Sequence, residues 1–169
     1  QPRMNADLRR INATFDVLDR GVALDISLGS SRVLDEESNA SVRVEAELSA
    51  FMQRRGLTIS EFKLRRGDSF IIASGNLKGD TEALRFDDIS LDTRTSLHLE
   101  SMRNWFVKSF PKQEKFPILK GRADAEVKIR GTADTDISAD FKASTRQFMF
   151  DKFFVDSLVT AGTYAAGTV

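Results

Sequence analysis

The sequence predicts a mainly β protein: a curled antiparallel meander sheet, either taco-like or sandwich-like, with one short amphipathic helix. Apolar and polar residues alternate along most of the 169 residues, which is the period of strands that have one wet face. Clusters of Gly, Asp, Asn and Ser interrupt the alternation every 8 to 12 residues or so, roughly as turns do in a meander. One octamer pattern also occurs three times.

The octamer runs from Leu57 to Leu64 and returns at Leu84–Leu91 and Phe153–Thr160. Its form is apolar, any residue, apolar, two polar residues, apolar, any residue, apolar, and Thr160 fills the last position of the third copy. The two consecutive polar residues break the strand alternation by one residue. Because a β-bulge absorbs one extra residue and coils the strand, the pattern predicts a bulge that keeps the apolar residues on one face.

The remaining elements follow from the same alternation. Ile11–Leu18 and Val22–Leu28 predict a hairpin whose turn ends at Gly21, a residue free to take positive φ. Gly29 to Asn39 predicts a surface loop, since it combines Gly, Ser and Asn with the acidic trio Asp35–Glu37. Further strands are predicted at 42–52, 57–64, 70–77, 84–99, 123–129, 137–143 and 148–160, which gives about nine to eleven strands.

The hydrophobic period changes near residue 100. Apolar residues between 99 and 110 fall at spacings of three and four, which predicts an amphipathic helix over Glu100–Phe110. Ser101 is placed to cap this helix and Pro111 to end it. We expect the helix to pack on one face or one end of the sheet, and a plug or gate over an open apolar face is the functional alternative.

Composition limits the classes of function. No long linker divides the chain, so residues 1–169 are expected to form a single β-rich domain. Because the sequence begins at Gln1 rather than Met, this domain is expected to be a fragment of a longer repetitive protein. Lys plus Arg and Asp plus Glu both number 25, and this balance leaves no basic footprint for nucleic acid. With no cysteine, disulfides and thiolate chemistry are excluded. No apolar run in these residues is long enough for a membrane helix, and no signal-peptide pattern is visible in them. Any targeting or anchoring segment is expected to belong to the rest of the longer protein.

The sequence predicts no enzyme, no metal site and no cofactor. His98 lies in mid-strand on the polar register, where a solvated side chain is expected. The acidic pairs Asp87-Asp88 and Asp134 with Asp136 take outward or turn positions, where water keeps ordinary carboxylates ionised. The chain also lacks a glycine-rich turn that leads from a strand into a helix, as a phosphate-binding loop requires.

Phenylalanine is strongly favoured over the other aromatic residues, with 13 Phe against one Tyr and one Trp. Phe has no polar group, so it suits dry surroundings. The residues leave two interpretations open: a core sealed between two sheets, or an open apolar groove that contacts acyl chains. The candidate groove residues are Ile59, Phe62, Leu64, Phe86, Ile89, Leu91, Phe141, Phe148 and Phe150.

Several stretches resemble the repeats of AsmA-like and TamB-like bacterial envelope proteins. They are Leu57–Leu64 with Gly67, Ser74–Gly79, Leu119–Gly131 and Phe150–Gly167. The resemblance covers Ala40–Val169, and the helical stretch Glu100–Phe110 departs from an uninterrupted repeat.

The resemblance implies a non-enzymatic periplasmic module that is anchored to the inner membrane. Its apolar groove is expected to contact phospholipid or another acyl-chain ligand, and to support phospholipid transport to the outer membrane or outer-membrane assembly, with an outer-membrane protein as a partner. Acyl chains need continuous apolar surface, because each exposed methylene costs about 0.8 kcal/mol. The alternative is a closed β-sandwich that acts as a structural or adhesive module through surface loops such as 29–39.

Overall fold

The computed structural model describes residues 4–7, 10–35, 40–83, 85–103, 117–132 and 136–165. These residues contain ten strands of one sheet and a short helix, α1, at 99–103. A mainly β meander with one short helix is therefore confirmed. The strands are β1 (Met4–Asp7), β2 (Ile11–Leu18), β3 (Gly21–Asp35), β4 (Ala40–Gln53), β5 (Gly56–Arg66), β6 (Ser69–Asp80), β7 (Arg85–His98), β8 (Leu119–Thr132), β9 (Ser138–Phe150) and β10 (Phe153–Ala165).

The sheet is an open antiparallel meander. Strands β3 to β10 lie in sequence order, each hydrogen-bonded to the next. Both β1 and β2 pair with β3, β2 along its first half and β1 along its last residues. One edge is therefore formed by β1 and β2, the other edge is β10, and no ladder joins them.

The predicted hairpin between β2 and β3 is confirmed, with its register running from Ile11 opposite Leu28 to Leu18 opposite Gly21. Gly21 does not use its freedom to take positive φ, since it is not among the glycines with positive φ. A Cβ atom at Gly21 would instead collide with the carbonyl oxygen of Met52 on β4. Glycine is needed here because two strands approach closely.

The predicted loop from Gly29 to Asn39 is wrong for its first part. Strand β3 continues to Asp35, and its ladder with β4 shifts register between Leu28 and Ser31. Ser31 is fully buried, and its Oγ donates a hydrogen bond of 2.8 Å to the carbonyl oxygen of Gly29. Gly and Ser thus form a bulge inside a long strand rather than a loop, and residues 36–39 lie outside the described part of the chain.

The first two octamers contain the predicted bulges. In the first, Ile59 pairs with Gly75 and Phe62 with Ala73, so that two residues of β5 oppose one residue of β6. In the second, the ladder between β6 and β7 shifts register between Lys78 and Gly79. The two consecutive polar residues of these octamers therefore lie in β-bulges, as the sequence pattern predicts.

The bulge expected in the third octamer lies one ladder away. The pairing of β10 with β9 has no register shift. The shift occurs between β8 and β9, where Lys120 pairs with Met149 and Arg122 with Arg146, so that Gln147 and Phe148 oppose a single residue. The prediction of a register shift in the third octamer is therefore wrong for the ladder of β10 with β9, and the shift of this region belongs to β8 and β9.

The helix α1 begins at 99, and the rest of the predicted Glu100–Phe110 helix lies outside the described residues. Ser101 is inside α1 rather than at its N-cap, and its Oγ lies 3.3 Å from Nδ1 of His98. Arg66 Nη2 donates to the Ser101 carbonyl oxygen at 3.4 Å, and burial lowers the pKa of this guanidinium. No helix among the described residues is long and apolar enough to cross a membrane.

The sheet forms a single layer. Ala50, 5% exposed, is the one buried apolar side chain among residues whose burial is described. The ten described strands all belong to one sheet, so this part of the chain lacks the second sheet that a closed sandwich requires.

Candidate functional site

The strand register sorts the side chains onto two faces, because directly paired residues of antiparallel strands point to the same side. Three rows cross nine strands and contain no charged residue; together they define the apolar face. The row through Phe62 is Ala13, Ile26, Leu48, Phe62, Ala73, Thr93, Val127, Phe141 and Gly162. The row through Ile59 is Phe15, Leu24, Ala50, Ile59, Gly75, Leu91, Ile129, Ala139 and Tyr164. The row through Leu64 is Ile11, Leu28, Ala46, Leu64, Ile71, Thr95, Ala125, Ala143 and Thr160.

Most of the predicted groove residues come together on this face. The three rows include Ile59, Phe62, Leu64, Leu91 and Phe141. The flanking row through Leu57, Leu77 and Ile89 adds a sixth. Phe86 follows on β7, opposite Gly79.

The last two predicted residues lie at the far end of β9. Phe148 stands at the bulge opposite Val155, and Phe150 pairs with both Leu119 and Phe153. Phe150 is 45% exposed and Phe141 39%, whereas the other seven candidates are half-buried. The apolar face is accessible at both edges, since Phe15 on β2 is 60% exposed and Tyr164 on β10 is 61% exposed.

The opposite side, which we call the polar face, is stabilised by ion pairs between neighbouring strands. Lys78 Nζ lies 3.1 Å from Asp88 Oδ2, and Arg94 Nη2 lies 2.8 Å from Glu126 Oε1. A further pair joins Arg130 of β8 to β7. These side chains are largely exposed, so each pair adds little stability, about 1 kcal/mol at most, but together they keep this side wetted.

The residues considered for catalysis remain dispersed. His98 is half-buried on the polar face, opposite Arg122. Asp88 is engaged with Lys78, and Asp134 lies outside the described residues. Within the described part of the chain, no group of three or more His, Cys, Asp or Glu side chains is arranged to hold a metal ion.

Sequence reasoning missed a depression of about 900 Å³ on the polar face. Its lining includes Lys120, Arg122 and Arg146, together with His98. Lys120 and Arg122 lie two residues apart on β8, but His98 and Arg146 are far from them in the sequence and become their neighbours only through the register of β7, β8 and β9. No local pattern in the sequence indicates this cluster.

The described residues define a class of protein: an open, single-layered antiparallel sheet with one apolar face and one charged face. Comparison of the chain with protein-family models, with curated proteins and with solved structures gave no match. The functional assignment therefore depends on the geometry of this chain and on the resemblance of its octamers.

Proposed function

We propose that this chain is a non-enzymatic lipid-contacting module whose apolar face shields acyl chains from water. The observation that supports this function is the apolar face itself, in which three rows cross nine strands without a charged residue. Large exposed apolar patches on soluble domains mark sites of interaction with lipid, ligand or protein. Only Ala50 among the described apolar side chains is buried, so the other side chains of the apolar face are accessible to a ligand.

The dimensions suit an extended apolar ligand. Neighbouring strands lie about 4.8 Å apart, so a row that crosses nine strands is roughly 40 Å wide. A lipid chain laid along such a row would transfer each methylene from water to apolar side chains, which is worth about 0.8 kcal/mol per methylene. No polar contact is needed for this interaction, and the charged side chains stay on the opposite face.

Phospholipid transport between inner and outer membrane, or support of outer-membrane assembly, is the process in which we place this activity. The periplasmic location, inner-membrane attachment and an outer-membrane partner are parts of the same proposal. They are supported by the resemblance of the octamers to the repeats of AsmA-like and TamB-like proteins. An acyl-chain carrier needs no catalytic group, and the proposal assigns none.

Site-specific crosslinking tests the proposal directly. A photoreactive residue at Phe62 or Ile89 should form crosslinks to phospholipid in purified protein and in cells. The matched controls are Lys63 and Ser90, the next residues along the same strands, which lie on the polar face. Native mass spectrometry of the unmodified protein should show bound lipid.

The contrast between the two faces decides the outcome. Crosslinks of equal yield from Phe62 and Lys63 would indicate nonspecific association rather than a lipid-contacting face. Absence of lipid in native spectra, together with no crosslink from Phe62 or Ile89, would refute the proposed function.

A further inference from the structure

The charge pattern of the polar face is broken between β8 and β9. Many ladder partners on this face carry opposite charges, as Arg94 and Glu126 do at 2.8 Å, although Arg32 and Arg43 are a like-charged pair in the ladder of β3 and β4. Between β8 and β9, however, Arg122 and Arg146 are direct partners in the ladder, and His98 of β7 is the partner of Arg122 on its other side. Like charges directly opposite each other in an antiparallel pair are destabilising.

Neutralisation of the two arginines is incomplete. Arg122 uses only its Nε, which lies 3.3 Å from Asp124 Oδ1 and donates to Ser96 Oγ at 2.7 Å. Its two terminal guanidinium nitrogens, and the entire guanidinium of Arg146, make no hydrogen bond or ion pair with the described residues. About nine N–H donors are therefore left to solvent, since a guanidinium carries about five and Arg122 uses only the one on its Nε.

The bulge in β9 shapes the space in front of these donors. Gly121 has φ of 106° and faces Gln147, whose φ is 51°. A Cβ at Gly121 would crowd the carbonyl oxygens of both Arg146 and Gln147, so the strands come together here without an intervening side chain. The arginines line the resulting depression of about 900 Å³.

The other lining residues limit the possible ligand. Lys120 adds a third cation to the depression, and Met149 and Phe154 add apolar surface. The carboxylates of Glu100 and Asp156 also line it, but neither forms an ion pair with a described residue. A ligand that reaches both arginines must therefore be small and anionic at the point of contact.

We infer that Arg122 and Arg146 form a binding site for a phosphate group. The planar guanidinium fork matches the oxygens of phosphate and binds them with paired hydrogen bonds. An anion between the two arginines also removes the repulsion across the ladder. The ligand class is a phosphate monoester or diester, either free in solution or as the headgroup of a lipid. The site is on the polar face, so it does not depend on the proposed function of the apolar face.

Thermal unfolding tests the site with inorganic phosphate as the probe, against sodium chloride of equal ionic strength. A ligand that binds only the folded state raises the Tm. We expect phosphate to raise the Tm of the wild type, and Arg146→Gln to weaken the binding by about tenfold or more, the usual effect of losing hydrogen bonds to a charged group. Arg146→Gln should also raise the Tm in chloride alone, because it removes the like-charge pair.

Arg94→Gln is the matched control, since it removes an exposed arginine of the same face that is paired with Glu126. This variant should keep the full phosphate response and show no increase of Tm in chloride. The site would be refuted if phosphate had no effect beyond that of chloride on the wild type. It would equally be refuted by the same phosphate response in Arg146→Gln as in the wild type.

Vesicle binding separates the two sources of phosphate. If the ligand is a headgroup, phosphatidylglycerol vesicles should retain the wild type more strongly than Arg146→Gln, and inorganic phosphate should release the protein. If the ligand is a small free phosphate, the two proteins should behave alike on vesicles while the phosphate-dependent Tm difference persists. Either result supports the site and identifies its ligand.

Discussion

At the scale of single residues, Gly121 opposite the bulge of β9 is a position that only glycine suits. Gly121 has φ of 106°, a conformation that residues with a Cβ rarely adopt. Two carbonyl oxygens also occupy the space that a Cβ would take. We therefore expect Gly121→Ala to lower the free energy of unfolding by about 1–3 kcal/mol, the cost of a strained backbone position. Urea denaturation followed by circular dichroism measures this loss.

Gln147, in the same bulge, supplies a control for which no loss of stability is expected. Its φ of 51° is unfavourable for a residue with a side chain, and left-handed backbone costs roughly 1–2 kcal/mol without glycine. Gln147→Gly should therefore leave the stability unchanged or raise it slightly. A comparable loss of stability in both variants would show that side-chain contacts, rather than backbone conformation, govern this bulge.

Residue-scale predictions from the sequence succeeded where strand alternation decides which face a side chain takes. Ile59, Phe62 and Leu64 share the apolar face as the octamer indicated. The meeting of Arg122 with Arg146 could not be predicted, because it depends on the register of two strands and on where their bulge lies. Nothing local to either arginine carries that information.

At the scale of elements, the bulges keep the face assignment of whole strands. Deleting Lys63, outside the bulge, would force Leu64 and the residues after it onto the opposite face or into a slipped register. Deleting Ser60 removes the extra residue itself, so Ile59 and Phe62 keep their faces and their partners in a regular strand. We therefore expect the Lys63 deletion to lower the urea midpoint far more than the Ser60 deletion. Equal midpoints for the two deletions would mean that the apolar face does not fix the register of β5.

The edge strand β10 lacks the usual protection against edge-to-edge pairing. Natural edges carry charges, proline or strong distortion, but Asp156 is the one charged residue among the 13 of β10. Val159 is 75% exposed there. We expect the protein to self-associate with increasing concentration, and Val159→Lys to reduce this association. Size-exclusion chromatography with light scattering measures both effects.

Thr58→Lys is the control for that experiment, because Thr58 is exposed on the interior strand β5. It introduces the same charge away from the edge and should leave the association unchanged. A wild type that stays monomeric at every concentration, or equal association of the two variants, would contradict the role of β10.

Element boundaries were predictable only where turn residues separate alternating runs. The β2–β3 hairpin followed from such a run. The extension of β3 through Gly29–Asp35 did not, since Gly and Ser that form a bulge inside a strand have the same composition as a loop. Pairing with β4 decides between the two structures, and this pairing involves residues far along the chain.

At the scale of the whole molecule, an open apolar face and a sealed core differ in their affinity for apolar dyes. We expect the folded protein to bind an apolar fluorophore, because its apolar side chains, Ala50 apart, are at least partly exposed in the described residues. Phe62→Glu places a charge in the middle of the apolar face and should reduce dye binding. Fluorescence titration, with circular dichroism to confirm folding, measures the change.

Lys63→Glu is the corresponding change on the polar face, next to Glu47. It should leave dye binding unaffected. Binding that appears only on denaturation, or that falls equally in both variants, would show that the dye does not report on the apolar face.

The fold class was predictable because alternation and turn spacing extend along the whole chain. The number of sheets was not, since strands rich in Phe on one side fit either a sandwich or a single open layer. The topology answers this question for the described residues: the ten strands form one sheet, in sequence order from β3 to β10.

This sequential strand order affects how the protein folds and how its sheet can gain or lose strands during evolution. The main contacts of each strand are with its immediate neighbours in the sheet, so its stability resembles a sum of nearest-neighbour terms, as in repeat proteins. Such local contacts favour rapid folding, and opening should proceed from the two edges inward, leaving β5 to β8 as the last strands to exchange their amide hydrogens. Because the described strands from β3 to β10 have no distant pairing to preserve, a hairpin gained or lost during evolution would lengthen or shorten the apolar surface without disturbing the rest of the sheet.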